Sequence, residues 1–174
     1  MQTPLPPGQR PVTDMLLYRL YQAWWQSNPV FLRLCEGRFG ITRRQWRILA
    51  CTVEDGTMST AELAATAKLD LARTSRTVGA LCEKGLLRRL HDSADRRVVR
   101  VAVTDEGLAL YQGLLPEIAR LNDLLVQDLS AQEVAVLRDL LGRIEQRGRR
   151  MSQDNIVAEK ASRREGGTRR ARPT

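Results

Sequence analysis

The chain has 174 residues, with 28 Lys and Arg against 20 Asp and Glu and a formal net charge of +8. That length can bury one domain core, with or without a dimerisation extension, and the basic balance favours an anionic partner, either nucleic acid or an acidic membrane surface. The apolar runs fall far short of the ~20 residues of a membrane span, which excludes a spanning protein.

Residues 1–13 hold four of the seven prolines and are expected to form a flexible arm; they lack the apolar core of a signal peptide, so the cytoplasm is the expected location. From residue 14 to about 39 the text is helical, with Leu16, Leu17, Leu20, Tyr21, Trp24 and Trp25 on a broad apolar side. Pro29 predicts a kink or restart near Ser27 and Asn28. Polar groups freed beside two tryptophans would make a pocket wall, and burial in a dimer or domain core is the competing role for either tryptophan alone.

Residues 41–56, ITRRQWRILACTVEDG, predict a helix capped by Thr42 with Gln45 at the capping-box position. Trp46, Leu49 and Val53 share a face that Ile48 and Thr52 extend. Arg43, Arg44 and Arg47 crowd its start, where the macrodipole opposes cations, so they need another purpose. Arg43 or Arg44 suits a phosphate, and Arg47 suits the carboxylate of a ligand held against the first helix; for each, solvated surface is the alternative.

Ser59 or Thr60 can cap a short helix carrying Leu63, Ala64 and Ala67, and Asp70 can cap the next. In that second helix Leu71, Thr74, Val78 and Leu81 form the inner stripe, while Arg73, Ser75, Arg76 and Thr77 lie toward the other side. Gly85 can end it in a left-handed conformation. Leu86 and Leu87 lead into extended chain, residues 98–103 read as the return strand of a hairpin, and the polar stretch between carries two arginines. Two short helices followed by a hairpin with a cationic tip make a winged helix-turn-helix.

Asp95, Arg97, Val103 and Thr104 fall in the pattern Asp-x-Arg, five residues, an aliphatic and Thr. This resembles the wing signature of the MarR family of bacterial transcription regulators, and the resemblance extends from about Asp14 to Met151. It implies that Arg97 would enter the minor groove with Asp95 orienting its guanidinium, and that Asp95, Arg96 and Arg97 form the DNA-binding wing. An ordinary salt bridge in a hairpin turn is the plainer role for the same residues. Some members of that family sense oxidants through a cysteine near the start of the first helix; Cys35, Cys51 and Cys82 do not lie there and read as small buried hydrophobes.

Thr104 can cap a long helix through residue 129, with Asp105 and Glu106 at its positive end, and Gly107, Gly113 and Pro116 predict a bend in its first half. Leu108, Tyr111, Leu115, Ile118, Leu121, Leu125 and Leu129 recur along it at helical spacing. Ser130 and Glu133 form a capping box opening a last helix with Val134, Leu137, Leu141 and Ile144 inward. So much leftover apolar surface wants a second copy of the chain. Residues 152–174, with six basic and three acidic side chains, are expected to be a disordered basic tail, solvated or adding nonspecific DNA affinity.

The expected architecture is mainly α with a small β-hairpin wing: residues 14–40 for dimerisation and ligand, 41–104 for the winged helix-turn-helix and 105–151 for dimerisation. Arg73 and Arg76 can reach guanine edges or phosphates, and Ser75 and Thr77 can bond to either. A two-fold dimer spaces two such helices by roughly 34 Å and calls for a pseudo-palindromic operator. The resemblance implies a repressor released by a small aromatic acid or phenol bound between the dimerisation helices and the DNA-binding lobe. Tyr21, Trp24, Trp25, Ser27, Asn28, Trp46, Arg47 and Tyr111 stand at the corresponding places and suit a hydroxybenzoate, hydroxycinnamate or hydroxynicotinate. A ligand-independent architectural DNA binder is the alternative. With one histidine, His91, in the wing and no metal-ligand spacing, no catalysis, metal or cofactor is expected.

Overall fold

The computed structural model describes residues 11–91, 99–157 and 159. The wing residues Asp95, Arg96 and Arg97 lie outside the described residues, as do most of the N-terminal arm and of the basic tail.

Local caps fix where the helices begin. Thr42 starts α2 (Arg43–Glu54): its hydroxyl accepts from the Gln45 backbone N–H at 3.1 Å, and the Gln45 side-chain oxygen accepts from Thr42 N–H at 2.9 Å. The same reciprocal box opens α3 (Thr60–Thr66) through Ser59 and Glu62, and α6 (Ala131–Gln153) through Ser130 and Glu133. Asp70 caps α4 (Leu71–Glu83), and Thr104 caps α5 (Asp105–Leu125). At the other end of α4, Gly85 sits at φ +70°, a conformation that glycine adopts without steric cost, and turns the chain into the sheet.

That sheet has three antiparallel strands in the order β1 (Met58–Ser59), β3 (Val99–Val103), β2 (Leu87–His91). The hairpin was legible in the sequence. The two-residue β1, which pairs Met58 with Val101, is too short to show any alternation. One core serves all these elements: Ile48 and Leu49 of α2, Leu63 of α3, Val78 and Leu81 of α4, Leu87 and Val101 of the sheet, and Leu114 of α5 are buried together.

The first helix departs from expectation. α1 (Leu16–Leu32) runs unbroken through Pro29, with no restart at Ser27 or Asn28. Pro29 is exposed, so the carbonyl one turn back that loses its donor lies on the solvent side, where water replaces the bond. Ser27 donates to the carbonyls of Ala23 and Trp24 at 3.0 and 3.1 Å and adds to the continuity. The irregularity falls later, in a π-helical segment Arg33–Arg38 that buries Cys35 before Gly40, at φ +66°, turns the chain into α2. α5 is a single helix that includes Gly113 and Pro116.

α6 buries no residue, and Leu137, Leu140 and Met151 along it are exposed. Leu16 and Leu17 at the start of α1 face Ile144, Met151, Ile156 and Val157 across an open apolar groove of about 660 Å³. No helix among the described residues is long and apolar enough to cross a membrane.

The first turn of α5 is pressed against the start of β2. A Cβ at Gly107 would sit 2.1 Å from the Leu86 carbonyl oxygen and 3.0 Å from Val103 Cγ2, both rigidly held. Gly107→Ala is therefore expected to destabilise the fold by about 1–3 kcal/mol, read as a lowered urea midpoint.

Candidate nucleic-acid interface

α3 and α4 are joined by a tight turn in which Lys68 takes φ +55° and Leu69 N–H donates to Ala64 O at 3.0 Å. The turn holds the buried stripe of α4, Thr74, Thr77, Val78 and Leu81, over the core. The opposite face presents Arg73, Ser75 and Arg76 to solvent.

Two residues of α4 are placed otherwise than expected. Thr77 is only 8% exposed, and its hydroxyl donates to Arg73 O at 2.8 Å, because it follows Thr74 by three residues and precedes Leu81 by four, on the same stripe. Leu71 is 54% exposed: in the first turn its side chain leans back past the start of the helix, beyond the packing.

Asp70 does two jobs at this helix start. One carboxylate oxygen caps Arg73 N–H at 2.8 Å and the other pairs with Arg73 Nε at 3.1 Å, which tethers the guanidinium to the helix end. Arg76 has no carboxylate partner among the described residues. A shallow depression of about 250 Å³ runs beside it, lined by Thr42, Arg44 and Gln45 of the α2 start and by Arg73, Arg76, Thr77 and Ala80 of α4.

The three arginines of α2 have separate fates. Arg43 turns inward, donating to Asn28 Oδ1 and lying 5.0 Å from the centroid of the Phe31 ring, and burial pulls its guanidinium below the ordinary arginine range. Arg44 stays exposed at the depression. Arg47, expected to face the first helix, instead reaches Ala67 O at 3.5 Å. One helical turn, a rise of roughly 6 Å, separates it from Arg43, so α1 lies over the first turn of α2 and the end of α3 over the second.

The sheet adds a basic residue that the sequence reading passed over. Arg100 on β3 donates to Thr57 O at 3.1 Å and stands 3.9 Å from the Glu62 carboxylate, bracing the hairpin against the α3 start. Only its place beside β1 discloses that role.

The residues expected to hold a ligand fall into two aromatic groups in the protomer, with Ser27, Asn28 and Arg47 each engaged by other partners. Tyr21, Trp24 and Trp25 touch one another on the open side of α1, with ring centroids 6.0–6.5 Å apart and the two tryptophans 46% and 59% exposed. Tyr21 and Trp25 border an open groove of about 570 Å³ that Trp46, Arg47 and Tyr111 do not line. Asn28 is engaged by Arg43, and Ser27 by its own helix. Trp46 stacks on Tyr111 at 5.4 Å and 17°, and the Tyr111 hydroxyl donates to Glu54 at 2.8 Å; burial, with Glu54 beside it, pushes the phenol up. Cys35 is fully buried, Cys51 and Cys82 partly so, and burial raises all three thiols, as inert core cysteines require.

The MarR family model matches residues 41–99, from the start of α2 to the first residue of β3. The transcriptional regulator FarR of Neisseria gonorrhoeae is 32% identical over 104 residues, covering 60% of this chain and 71% of FarR. The chain belongs to the MarR family. Among solved MarR-family folds, BpsR of Bordetella bronchiseptica, whose DNA binding is regulated by 6-hydroxynicotinic acid, superposes with a TM-score of 0.73 at 22% identity, over 79% of this chain and 98% of BpsR. PcaV of Streptomyces coelicolor, solved with its natural ligand, gives 0.64 at 26% identity over 83% and 98%. MarR-family proteins are transcription regulators, not enzymes, and bind operator DNA as dimers.

The double duty of Asp70 can be separated by substitution. Asp70→Ala loses cap and tether and should cost about 1 kcal/mol of stability, whereas Asp70→Asn keeps a capping oxygen and should cost only a few tenths. Urea titration of both variants measures the difference.

Proposed function

We propose that this protein is a homodimeric repressor that binds a pseudo-palindromic operator and is released by a small aromatic carboxylate. The observation that carries the reading is the outer face of α4, where Arg73, Ser75 and Arg76 stand open to solvent over a stripe buried in the core. A rigid helix with outward donors is what major-groove reading requires, to base edges or to phosphates. The wing residues Asp95, Arg96 and Arg97 would follow into the adjacent minor groove. Such a regulator works where the DNA is, in the cytoplasm.

Dimerisation through residues 14–40 and 105–151 is supported by the apolar surface that α1 and α6 leave uncovered. The ligand reading is supported by the likeness to PcaV and by the aromatic side chains that a second protomer would cover. In that arrangement Tyr21, Trp24 and Trp25 supply flat walls, Trp46 and Tyr111 a stacked platform, and Arg47, with one long contact among the described residues, the carboxylate partner. Release needs the ligand to bind the DNA-incompetent state more tightly, since equal affinity for both states shifts nothing.

The deciding experiment is an anisotropy titration onto the intergenic DNA upstream of the gene, against scrambled DNA, with and without a panel of aromatic acids. Sequence-dependent binding released by one acid supports the switch; binding that ignores both sequence and acids would replace it with an architectural role. Within that assay Arg97→Ala should lose about 1–3 kcal/mol of operator binding while sedimentation still shows the dimer.

A further inference from the structure

We propose that the depression between α2 and α4 is a seat for one phosphate of the DNA backbone, held from its two walls by Arg44 and Arg76. The proposal rests on the DNA-binding reading above and assigns Arg76 to positioning the helix, not to reading a base.

The lining is rich in donors. Thr42 already accepts from Gln45 N–H, which leaves its hydroxyl proton to give. The Gln45 side-chain oxygen is taken by Thr42 N–H, which fixes the amide orientation and leaves its NH₂ group as donor. Arg44 and Arg76 add two guanidiniums with no carboxylate within ion-pair distance among the described residues, while Arg73 on the same rim is already bound to Asp70. Thr77 gives its proton to Arg73 O, so on this lining its hydroxyl can only accept. No acidic side chain lines the depression. A surface of this kind is complementary to an acceptor-rich anion, and a volume of about 250 Å³ admits a phosphodiester with its water.

Electrostatics and position agree. Arg44 stands in the first turn of α2, where the helix dipole repels a cation; an anion placed before it relieves that repulsion. The depression also borders the outward face of α4, where a duplex strand beside the groove would pass.

The test uses the full chain, with Arg44→Ala, Arg76→Ala and the double variant titrated at several salt concentrations. The duplexes are a site selected by the wild type from a random pool and its scrambled counterpart. Each single variant should bind both duplexes roughly tenfold more weakly, leaving their affinity ratio unchanged. Because the arginines share one phosphate, the double variant should lower the log-log salt slope by about 0.9. An unchanged affinity and slope for Arg44→Ala, a collapse of the ratio for Arg76→Ala, or a double-variant slope change of about 1.8, meaning two phosphates, would each overturn the seat. Wild-type protein that binds neither duplex would overturn the DNA reading together with the seat, whereas wild-type binding with an indifferent Arg44→Ala overturns the seat alone. Arg44 is exposed, so its removal leaves the fold in place, as an unchanged urea midpoint would show; should Arg76→Ala not fold, the single Arg44→Ala titration decides.

Discussion

The hydroxyl of Thr104 is the joint on which the geometry of this protein depends. It donates to Gly85 O at 2.6 Å and accepts from Gly107 N–H at 3.0 Å, while Thr104 N–H donates to Leu86 O at 3.2 Å. Those few bonds tie the end of α4, the start of β2, the end of β3 and the first turn of α5 to one point. The helix α4, the hairpin and the long helix α5 thus share a fixed origin. Gly107 is needed there because the backbones approach too closely for any side chain.

From that joint the charge distribution follows. Arginines at neighbouring positions are sorted by what the folded chain places over them: Arg43 under α1, Arg47 against the end of α3, Arg73 tied to Asp70, Arg44 and Arg76 left open. A chain of net charge +8 does not spread its charge evenly. It spends some guanidiniums on internal carbonyl, amide and carboxylate partners and leaves others beside the helix that faces outward. The second group, not the total, decides what the surface can hold.

What the sequence disclosed and what it hid divide along the range of the interaction. Thr42, Ser59, Asp70, Thr104 and Ser130 announce their helices because a cap is completed within three residues. The hairpin was equally plain from its β-branched return strand. Thr77 was misplaced because a threonine among arginines looks polar, although its spacing from Thr74 and Leu81 already put it inside. Pro29 predicts a kink or a restart, but its effect depends on whether the freed carbonyl meets water, and no local pattern reports that. The partition of Arg43 and Arg47 and the bracing by Arg100 depend on which element crosses above, which is tertiary information. For the same reason the aromatic residues could be named, but their division between α1 and the Trp46–Tyr111 stack could not.

The last helix deserves to be considered as a concentration-dependent object. α6 has 23 residues and buries none of them within its own protomer, while the core around Ile48, Leu81 and Leu114 is complete without it. Its hydrogen bonds are internal, and within the protomer only Val134, Leu141 and Ile144 along it are half-buried, so most of its apolar stripe is left for a second chain, as in the dimers that MarR-family proteins form. In such a dimer the order of the terminal helix would rise with protein concentration by mass action, more than that of the winged domain, which has a core of its own. Abundance would then govern how much of the last helix is ordered as well as how many dimers form.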